Sequence, residues 1–199
     1  MSSRSGTARV VALVMAAGRS QRFGDADKRL AVLPDGRTLL AATMERAAEV
    51  FPLVRVVLRE DDDRQALGVP EKGQVIRAPH GGAGLGASLA DAFVALARDT
   101  HLANCEAAAI VLADMPFIQV ATLRTLLCDA DPSRIVRPRH GGRPGHPVLF
   151  GRDFWLELTK LDGDEGGRAI IRQHMAQCRE IDVDDPGIHA DIDLPEDIA

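Results

Sequence analysis

A run of apolar residues near the start of the chain is the feature that most restricts the fold. Arg9–Met15 contains three valines and no polar residue after Arg9, which is typical of a strand buried on both faces. Such a strand needs covering layers above and below its sheet. The run is followed at once by glycine and basic residues, so the strand ends in a turn that a ligand could approach.

Short β-like runs alternate with helical patterns along the rest of the chain. The predicted strands are Arg9–Met15, Leu53–Leu58, Val75–Ala78, Ala107–Leu112 and Arg134–Val136, and the predicted helices are Thr38–Phe51, Gly86–Arg98 and Val120–Cys128. This alternation predicts an α/β three-layer sandwich with a mostly parallel central sheet. The glycine- and proline-rich stretch His140–Pro147 interrupts the pattern and is predicted to be an inserted loop or hairpin.

Length and composition fit one globular domain. The 199 residues suit a single domain at residues 9–199, with residues 1–8 predicted to be a flexible N-terminal tail. The net charge of −5 argues against a nucleic-acid partner or an anionic membrane surface, because either would need a basic face. The run Val10–Ala17 is too short to span a bilayer. Three scattered cysteines without a C-x-x-C pair indicate reduced thiols and a cytoplasmic protein.

The turn after the first strand is a candidate phosphate site. Small residues at Ala16, Ala17 and Gly18 would let a phosphate chain approach the backbone N–H groups. The same segment carries positive charge suited to a triphosphate, on Arg19, Arg22 and Lys28. It is not a Walker P-loop, because G-x-x-x-x-G-K-[ST] is absent. An ordinary glycine turn with solvated arginines is the alternative interpretation.

Carboxylates form a candidate metal site. Asp114 follows the buried strand Ala107–Leu112, where a lone aspartate suits Mg²⁺, which prefers one or two carboxylates plus substrate phosphates. A second carboxylate could come from the C-terminal run, from Asp191 or from Asp193. The alternatives are a turn residue before Pro116 and a merely solvated acidic tail.

A dinucleotide-binding pattern offers a different class of function. Gly82–Ala87 satisfies G-x-G-x-x-A between a strand and a helix, and Glu106 follows Ala87 by 19 residues. These features would suit an NAD(P)-binding oxidoreductase. However, the pattern follows the third predicted strand, whereas the fingerprint belongs to the first.

Two further glycine-bordered segments carry polar side chains. His146 lies in such a loop before a predicted strand, and Asp164 and Arg168 flank a glycine turn that opens a helix. The turn suits anion or hydroxyl recognition. A structural histidine and a structural Asp–Arg pair are the alternatives.

In combination, these motifs resemble the molybdenum cofactor cytidylyltransferases, within the broader MobA/MocA-like molybdopterin nucleotidyltransferases. The resemblance extends from Val10 to Ile198. Its parts, in order, are Ala16-Ala17-Gly18-x-Ser20-x-Arg22-x-Gly24…Lys28, Gly84-Leu85-Gly86-Ala87-Ser88-Leu89, Ala113-Asp114-Met115-Pro116, Gly145-His146-Pro147-Val148-Leu149-Phe150, Gly163-Asp164-x-Gly166-x-Arg168 and Asp191-Ile192-Asp193-x-Pro195-Glu196-Asp197. It implies a Rossmann-like, glycosyltransferase-A-like fold.

The resemblance also implies roles for these residues. The nucleotide would be held by Ala16, Ala17, Gly18, Arg19, Ser20, Gly24, Lys28, Gly84, Gly86 and Ser88. Catalysis would rest on Lys28, Arg22 and Asp114, with Mg²⁺ on Asp114 and Asp193. The acceptor would face His146, Asp164 and Arg168.

The resemblance leaves the base and the acceptor open. Ala17 favours CTP, because guanylyltransferases tend to have Gly-Gly in this turn and the extra methyl would narrow the approach to the base. The Asp27-Lys28 spacing resembles the guanylyltransferases more closely. The expected acceptor is a molybdopterin-type compound, with a molybdoenzyme or its maturation chaperone as a candidate recipient. Another small phosphorylated acceptor, or a non-catalytic carrier of the cofactor, are alternatives.

Overall fold

The computed structural model describes residues 9–18, 23, 26–70 and 74–198. These residues form eight strands: β1 (Val10–Met15), β2 (Leu53–Arg59), β3 (Gln74–Ala78), β4 (Ala107–Leu112), β5 (Ile135–His140), β6 (Arg143–Pro144), β7 (Val148–Gly151) and β8 (Cys178–Asp182). They also form five α-helices: α1 (Leu39–Ala48), α2 (Leu85–Arg98), α3 (Val120–Cys128), α4 (Trp155–Leu158) and α5 (Arg168–Gln173). The proposed N-terminal tail, residues 1–8, lies outside the described residues.

All eight strands join one mostly parallel sheet, as the alternation predicts. The order is β3-β2-β1-β4-β7-β5-β6, and β8 pairs with β5. The first four strands along this order, β3, β2, β1 and β4, run parallel to one another. Beyond β4, strand β7 is antiparallel to both β4 and β5, while β8 is parallel to β5. The loop or hairpin expected at His140–Pro147 is the β5–β6 hairpin, which turns through Gly141 and Gly142 at φ of 58° and 76°.

Helices cover both faces of the sheet, and the side chains of β1 alternate between two cores. Val11, Leu13 and Met15 pack into the core that α2, α4 and α5 cover. Val10, Ala12 and Val14 pack into the core that α1 and α3 cover. Successive strand residues point to opposite faces, so an apolar run without polar interruptions is what a doubly covered strand requires. The predicted three-layer sandwich is confirmed.

Element boundaries differ from the predicted ones mainly at helix and strand ends. The first helix begins after Thr38, whose side chain accepts from the Ala41 N–H at 3.3 Å, and it ends at Ala48 rather than Phe51. Strand β5 extends to His140, four residues past the predicted end. The structure also contains β8, which the sequence pattern did not predict, because its residues alternate irregularly between exposed and half-buried positions.

No helix in the described part of the chain is long and apolar enough to cross a membrane.

Replacing Leu149 by alanine should destabilise the fold strongly. Leu149 is fully buried in β7, opposite Ala109 of β4 and Val136 of β5, so truncation leaves a cavity at the centre of the sheet. We expect a loss of about 2–5 kcal/mol in the free energy of unfolding, measured by chemical denaturation. Leu156→Ala, at a position 70% exposed, is the control and should cost less than about 0.5 kcal/mol. Equal losses in the two variants would contradict the placement of β7.

Candidate active site

The carboxyl ends of β1 and β4 emerge side by side. The two strands are parallel neighbours in register from Val10–Ala107 to Met15–Leu112, and the Ala113 N–H donates to the Met15 carbonyl at 3.2 Å. The residues that follow each strand therefore meet at one edge of the sheet. This is the edge at which ligands bind in open α/β sheets.

A cavity of about 470 Å³ lies at this edge. Its walls include Ala17, Gly18, Gly84, Ser88, Asp114 and Asp164. These residues come from four different sequence motifs, and the fold places them on one surface. Of the other proposed nucleotide-binding residues, Ala16 is buried beneath the turn. Arg19, Ser20, Arg22 and Gly24 lie outside the described residues.

Lys28 is buried between two carboxylates. Its ammonium donates to Asp114 Oδ2 at 2.9 Å and to Asp193 Oδ1 at 3.1 Å, and only 5% of the residue is exposed. Burial alone would lower the pKa of Lys28, but the charge and hydrogen bonds of the two carboxylates more than offset this and raise the pKa. The ammonium therefore stays charged. An ammonium has three N–H donors, and the described residues supply acceptors for two of them.

Backbone contacts bring Asp114 and Asp193 to Lys28 from distant parts of the chain. The Ile192 N–H donates to the Asp114 carbonyl at 3.0 Å, which fastens the C-terminal segment beside the end of β4. The Asp197 carboxylate accepts from the N–H groups of Asp193 and Leu194, at 2.8 and 2.7 Å, and so holds this turn in shape. Asp191 instead lines a neighbouring cavity. The structure thus pairs Asp193, rather than Asp191, with Asp114.

One oxygen of this centre fits a metal ion. Within the described ranges, Asp114 Oδ1 is buried and has no hydrogen-bond partner, whereas Oδ2 bonds to Lys28. The described residues contain no group of three or more His, Cys, Asp or Glu side chains suited to a metal ion. Mg²⁺ commonly uses one or two carboxylates and completes its shell with water and substrate phosphates. Asp114 and Asp193 therefore fit such an ion when a triphosphate is present.

A second cavity, of about 630 Å³, adjoins the first. The two share Leu85, Leu112 and Asp164, and the second also contains His146 and Arg168. The three proposed acceptor residues therefore line one cavity. Three arginines that the sequence patterns did not single out, Arg137, Arg143 and Arg172, lie on its wall as well. Several apolar side chains also line it, among them Leu89, Ile110 and Phe150.

His146 is held in its neutral form. Burial lowers the pKa of His146 below its ordinary value of 6.5; Arg168 acts in the same direction, and the charge of Asp114 opposes both. In the part of the chain that the structure describes, its buried Nδ1 has no hydrogen-bond partner. The backbone N–H of His146 donates to the Ile188 carbonyl at 3.0 Å, and this hydrogen bond fixes the loop that carries His146. The His146 residue lines the second cavity, and a neutral imidazole nitrogen without a partner can accept a hydrogen bond.

Gly84 and Gly86 form the contact between the start of α2 and the Asp162–Asp164 turn. The Gly86 N–H donates to the Gly163 carbonyl at 2.8 Å. A Cβ on Gly86 would lie 2.3 Å from the Asp162 carbonyl oxygen, and one on Gly84, which has φ of +127°, would lie 2.2 Å from Asp164 Oδ1. Glycine is required here because the Asp162–Asp164 turn packs directly against the start of α2.

This packing gives the dinucleotide-like pattern a different explanation. The glycines of Gly82–Ala87 admit a neighbouring turn of the same chain. Glu106, the proposed ribose ligand, directly precedes β4 and so lies at the opposite end of that strand from Asp114. The pattern and its acidic residue therefore cannot meet a single nucleotide at the carboxyl edge of the sheet.

Ala17 and Ser88 are buried residues in the wall of the first cavity. Ala17 is only 1% exposed, and its methyl lies 3.0 Å from where a Cβ on Gly81 would stand. The methyl therefore spaces the Gly81–Ala83 turn from β1 rather than protruding far into the cavity. The Ser88 hydroxyl donates to the Gly84 carbonyl at 3.0 Å and fixes the first turn of α2.

Comparisons with known proteins show the family of the chain. The family described as "MobA-like NTP transferase domain" matches residues 12–178. A search of curated proteins finds no match.

Solved structures with the same fold include two mycobacterial proteins. Rv0371c from Mycobacterium tuberculosis H37Rv is 27% identical, with 96% of each chain covered and a TM-score of 0.79. Its homologue from Mycobacterium sp. strain JC1 is 29% identical, with 95% of this chain and 92% of that one covered and a TM-score of 0.80. Rv0371c has also been solved as a manganese complex, which is 27% identical over 88% of each chain, with a TM-score of 0.69.

A more distant structure shares the fold. Molybdopterin-guanine dinucleotide biosynthesis protein A from Archaeoglobus fulgidus is 18% identical, with 95% of this chain and 94% of that one covered and a TM-score of 0.62.

The low pKa of His146 makes a pH-dependent contribution to stability. As the pH falls below about 6.5, the unfolded chain takes up a proton that the folded protein resists, so the free energy of unfolding decreases. His146→Asn should remove this component, so the free energy of unfolding should decrease less between about pH 7.5 and about pH 5.5 than it does in the wild type. Urea titrations at both pH values measure the change. The exposed His101→Asn is the control, and a His146→Asn profile as steep as the wild type would contradict the burial argument.

Proposed function

The chain belongs to the MobA-like NTP transferase family, and on that premise we propose that it transfers CMP from CTP to the phosphate of a molybdopterin-type acceptor, releasing pyrophosphate. The observation that carries the proposal is the position of Asp114. Its carboxylate lines the first cavity, bonds to the buried Lys28 ammonium and keeps one oxygen unpaired, and a second cavity adjoins the first. A reaction between two bound substrates at a charged centre needs this arrangement.

The first cavity is assigned to the nucleoside triphosphate and the second to the acceptor. Gly18 and Gly84 bring backbone close to the first cavity, which suits a polyphosphate. The second cavity combines apolar walls with Arg137, Arg143 and Arg168, which suits a ring system that bears an anionic group. Leu85, Leu112 and Asp164 border both cavities and would lie where the two substrates meet.

The reaction is an in-line displacement. An oxygen of the acceptor phosphate attacks the α-phosphorus, a new P–O bond forms, and the bond to the β-phosphate oxygen breaks. The protein supplies orientation and charge and needs no covalent nucleophile. Lys28, through its third N–H, and Arg22 would neutralise the leaving pyrophosphate, while His146 and Arg168 would hold the acceptor. Mg²⁺, held by Asp114 and Asp193, would neutralise phosphate charge and orient the reacting group.

The choice of base rests on Ala17. Its methyl keeps the Gly81–Ala83 turn apart from β1, and so sets the width of the cavity that Gly81 and Gly84 line. The Asp27-Lys28 spacing favours a guanylyltransferase of the same family as the second candidate. A different small phosphorylated acceptor would leave the mechanism unchanged. We further propose a cytoplasmic location, supported by three unpaired cysteines, and delivery of the product to a molybdoenzyme or its chaperone.

Asp114→Asn should remove activity without unfolding the chain. Asparagine keeps the size of the side chain but loses the charge that would hold the metal and that Lys28 contacts. We expect pyrophosphate release to fall on the order of 100-fold or more, with a change in melting temperature of only a few degrees. Asp61→Asn, whose side chain is 87% exposed, is the control. Near wild-type turnover by the folded Asp114→Asn variant would overturn the assignment.

A panel of nucleotides tests the base. With Mg²⁺ present, CTP should raise the melting temperature more than GTP, ATP or UTP, because a ligand that binds only the native state stabilises it. Ala17→Gly should change the ratio of the CTP to the GTP stabilisation, because the Gly81–Ala83 turn loses the methyl that sets its distance from β1, while Asp114 and Asp193 remain in place. A wild-type chain that GTP stabilises and CTP does not would show that the Asp27-Lys28 spacing is the better guide.

A further inference from the structure

A buried network of charges lies directly behind the candidate nucleotide turn. The Arg29 side chain is 7% exposed and the Asp62 side chain 5% exposed, and they form a two-fold ion pair with distances of 2.5 and 2.8 Å. On its other side, the Arg29 guanidinium bonds to both oxygens of Asp27, the shortest distance being 2.6 Å. No sequence motif assigns a role to Arg29 or Asp62.

Every N–H group of the Arg29 guanidinium has an acceptor, and one of these acceptors belongs to the backbone of the turn after β1. Its Nη1 also donates to the Ala16 carbonyl at 2.9 Å. All five guanidinium N–H groups thus have acceptors: two carboxylates and one carbonyl. Lysine has only three N–H donors at one point and could not replace this planar fork.

Arg59 extends the network to a second carbonyl. It is the last residue of β2, and its guanidinium donates to Asp62 Oδ1 at 2.8 Å and to the Gly18 carbonyl at 3.3 Å. Its own N–H donates to Asp62 Oδ2 at 2.9 Å. Arg77 fixes the turn that follows β2, because it donates to the carbonyls of Arg59 and Asp62, each at 2.8 Å. The Asp62 carboxylate therefore pairs with both Arg29 and Arg59, and each of these arginines donates to one carbonyl of the turn after β1.

The contacts restrict which way the peptide groups of the turn face. A peptide unit is planar and trans, so a carbonyl drawn toward Arg29 turns the following N–H, that of Ala17, to the opposite side. Ala17 and Gly18 line the first cavity on that turn. Arg29 and Asp27 also flank Lys28 in sequence, and the side chain of Lys28 reaches Asp114 and Asp193. The network therefore orients both the turn and the Lys28 segment.

We propose that Arg29, Asp62 and Arg59 are positioning residues for the polyphosphate of the nucleotide, acting through the carbonyls of Ala16 and Gly18. This inference rests on the proposed function, because it presumes that the first cavity binds a nucleoside triphosphate. Buried ion pairs contribute little net stability compared with apolar packing. What this one supplies is a fixed direction for two peptide groups, which a packed apolar cluster could not give.

The test compares two arginines of the same strand. Arg59→Met removes the Gly18 contact at a partly exposed position, so the chain should still fold. Arg55→Met is the matched control: Arg55 also lies in β2, pairs with Asp99 at 3.1 Å and donates to the Val54 carbonyl at 3.2 Å. It lies four residues earlier, about 13 Å along the strand from the site. Arg29→Lys disturbs more contacts of the network than Arg59→Met does, and Arg55→Lys is its control.

Binding is measured by calorimetry with the full chain, using Mg²⁺ with whichever of CTP and GTP the wild type binds more tightly, and separately with inorganic pyrophosphate. We expect Arg59→Met and Arg29→Lys to raise the Kd for both ligands about tenfold, the effect of losing a charge-assisted hydrogen bond. The Arg55 variants should match the wild type in Kd even where their melting temperatures fall as far. Melting curves accompany every titration.

The outcomes separate the two proposals. A wild-type chain that binds neither CTP nor GTP overturns the proposed function and this inference together. A wild type that binds, with Arg59→Met folded and unchanged in Kd, overturns the positioning role alone. If Arg29→Lys fails to fold, Arg59→Met decides. Equal weakening by the Arg55 and Arg59 variants would show a general loss of stability and also overturn the positioning role.

Discussion

A single buried cation holds the candidate site together. The Lys28 ammonium joins Asp114, which follows β4, to Asp193, near the end of the chain. Two carboxylates this close would repel each other, and the positive charge between them makes the approach favourable. The cation can reach them because β1 and β4 are adjacent parallel strands whose ends emerge together. The position of the C-terminal segment, which supplies Ile188, His189 and Asp191 to the wall of the second cavity, is fixed in part by this contact.

The distribution of arginines explains how an acidic chain makes anion sites. Arg29 and Arg59 have their charge balanced within the fold by Asp27 and Asp62. These carboxylates remain ionised: hydrogen bonds from Arg29 lower the pKa of Asp27, and in Asp62 they more than offset the rise in pKa that burial alone would cause. Arg143 and Arg168 line the second cavity, and so does Arg137, which pairs with Glu180. Arginine side chains therefore stand beside the second cavity although the net charge of the chain is −5.

Much of the fold could be predicted because its strongest signals are local. The uninterrupted apolar runs of β1 and β4 predict strands covered on both faces, and Thr38 marks the start of α1. Strand β8 was not predicted because it pairs with β5 through residues that are exposed or half-buried, so it has no apolar run. Its pairing depends on long-range contacts such as Arg137 with Glu180, which no local pattern encodes.

The site was predictable as a set of motifs, but not as a set of contacts. Position directly after a strand singled out Gly18 and Asp114, and a glycine-bordered loop before a strand singled out His146. It could not show that Lys28 lies between two aspartates, nor that Gly84 and Gly86 are needed for contact with the Asp162–Asp164 turn. Arg29 was overlooked because an arginine beside Lys28 reads locally as one more surface charge. Its partner Asp62 is 33 residues away and joins it only through the pairing of β1 with β2.

The most direct test of the account is a crystal structure of the chain with CTP and Mn²⁺, recorded at the manganese absorption edge. We expect an anomalous peak within about 2.5 Å of Asp114 Oδ1 and beside Asp193, with the triphosphate in the cavity that Gly18 and Gly84 line. Lys28 should still contact Asp114 Oδ2. A bound triphosphate whose metal lies away from Asp114, or a nucleotide seated in the His146 cavity, would contradict the central claim that Lys28, Asp114 and Asp193 form the charged centre of a nucleotidyl-transfer site.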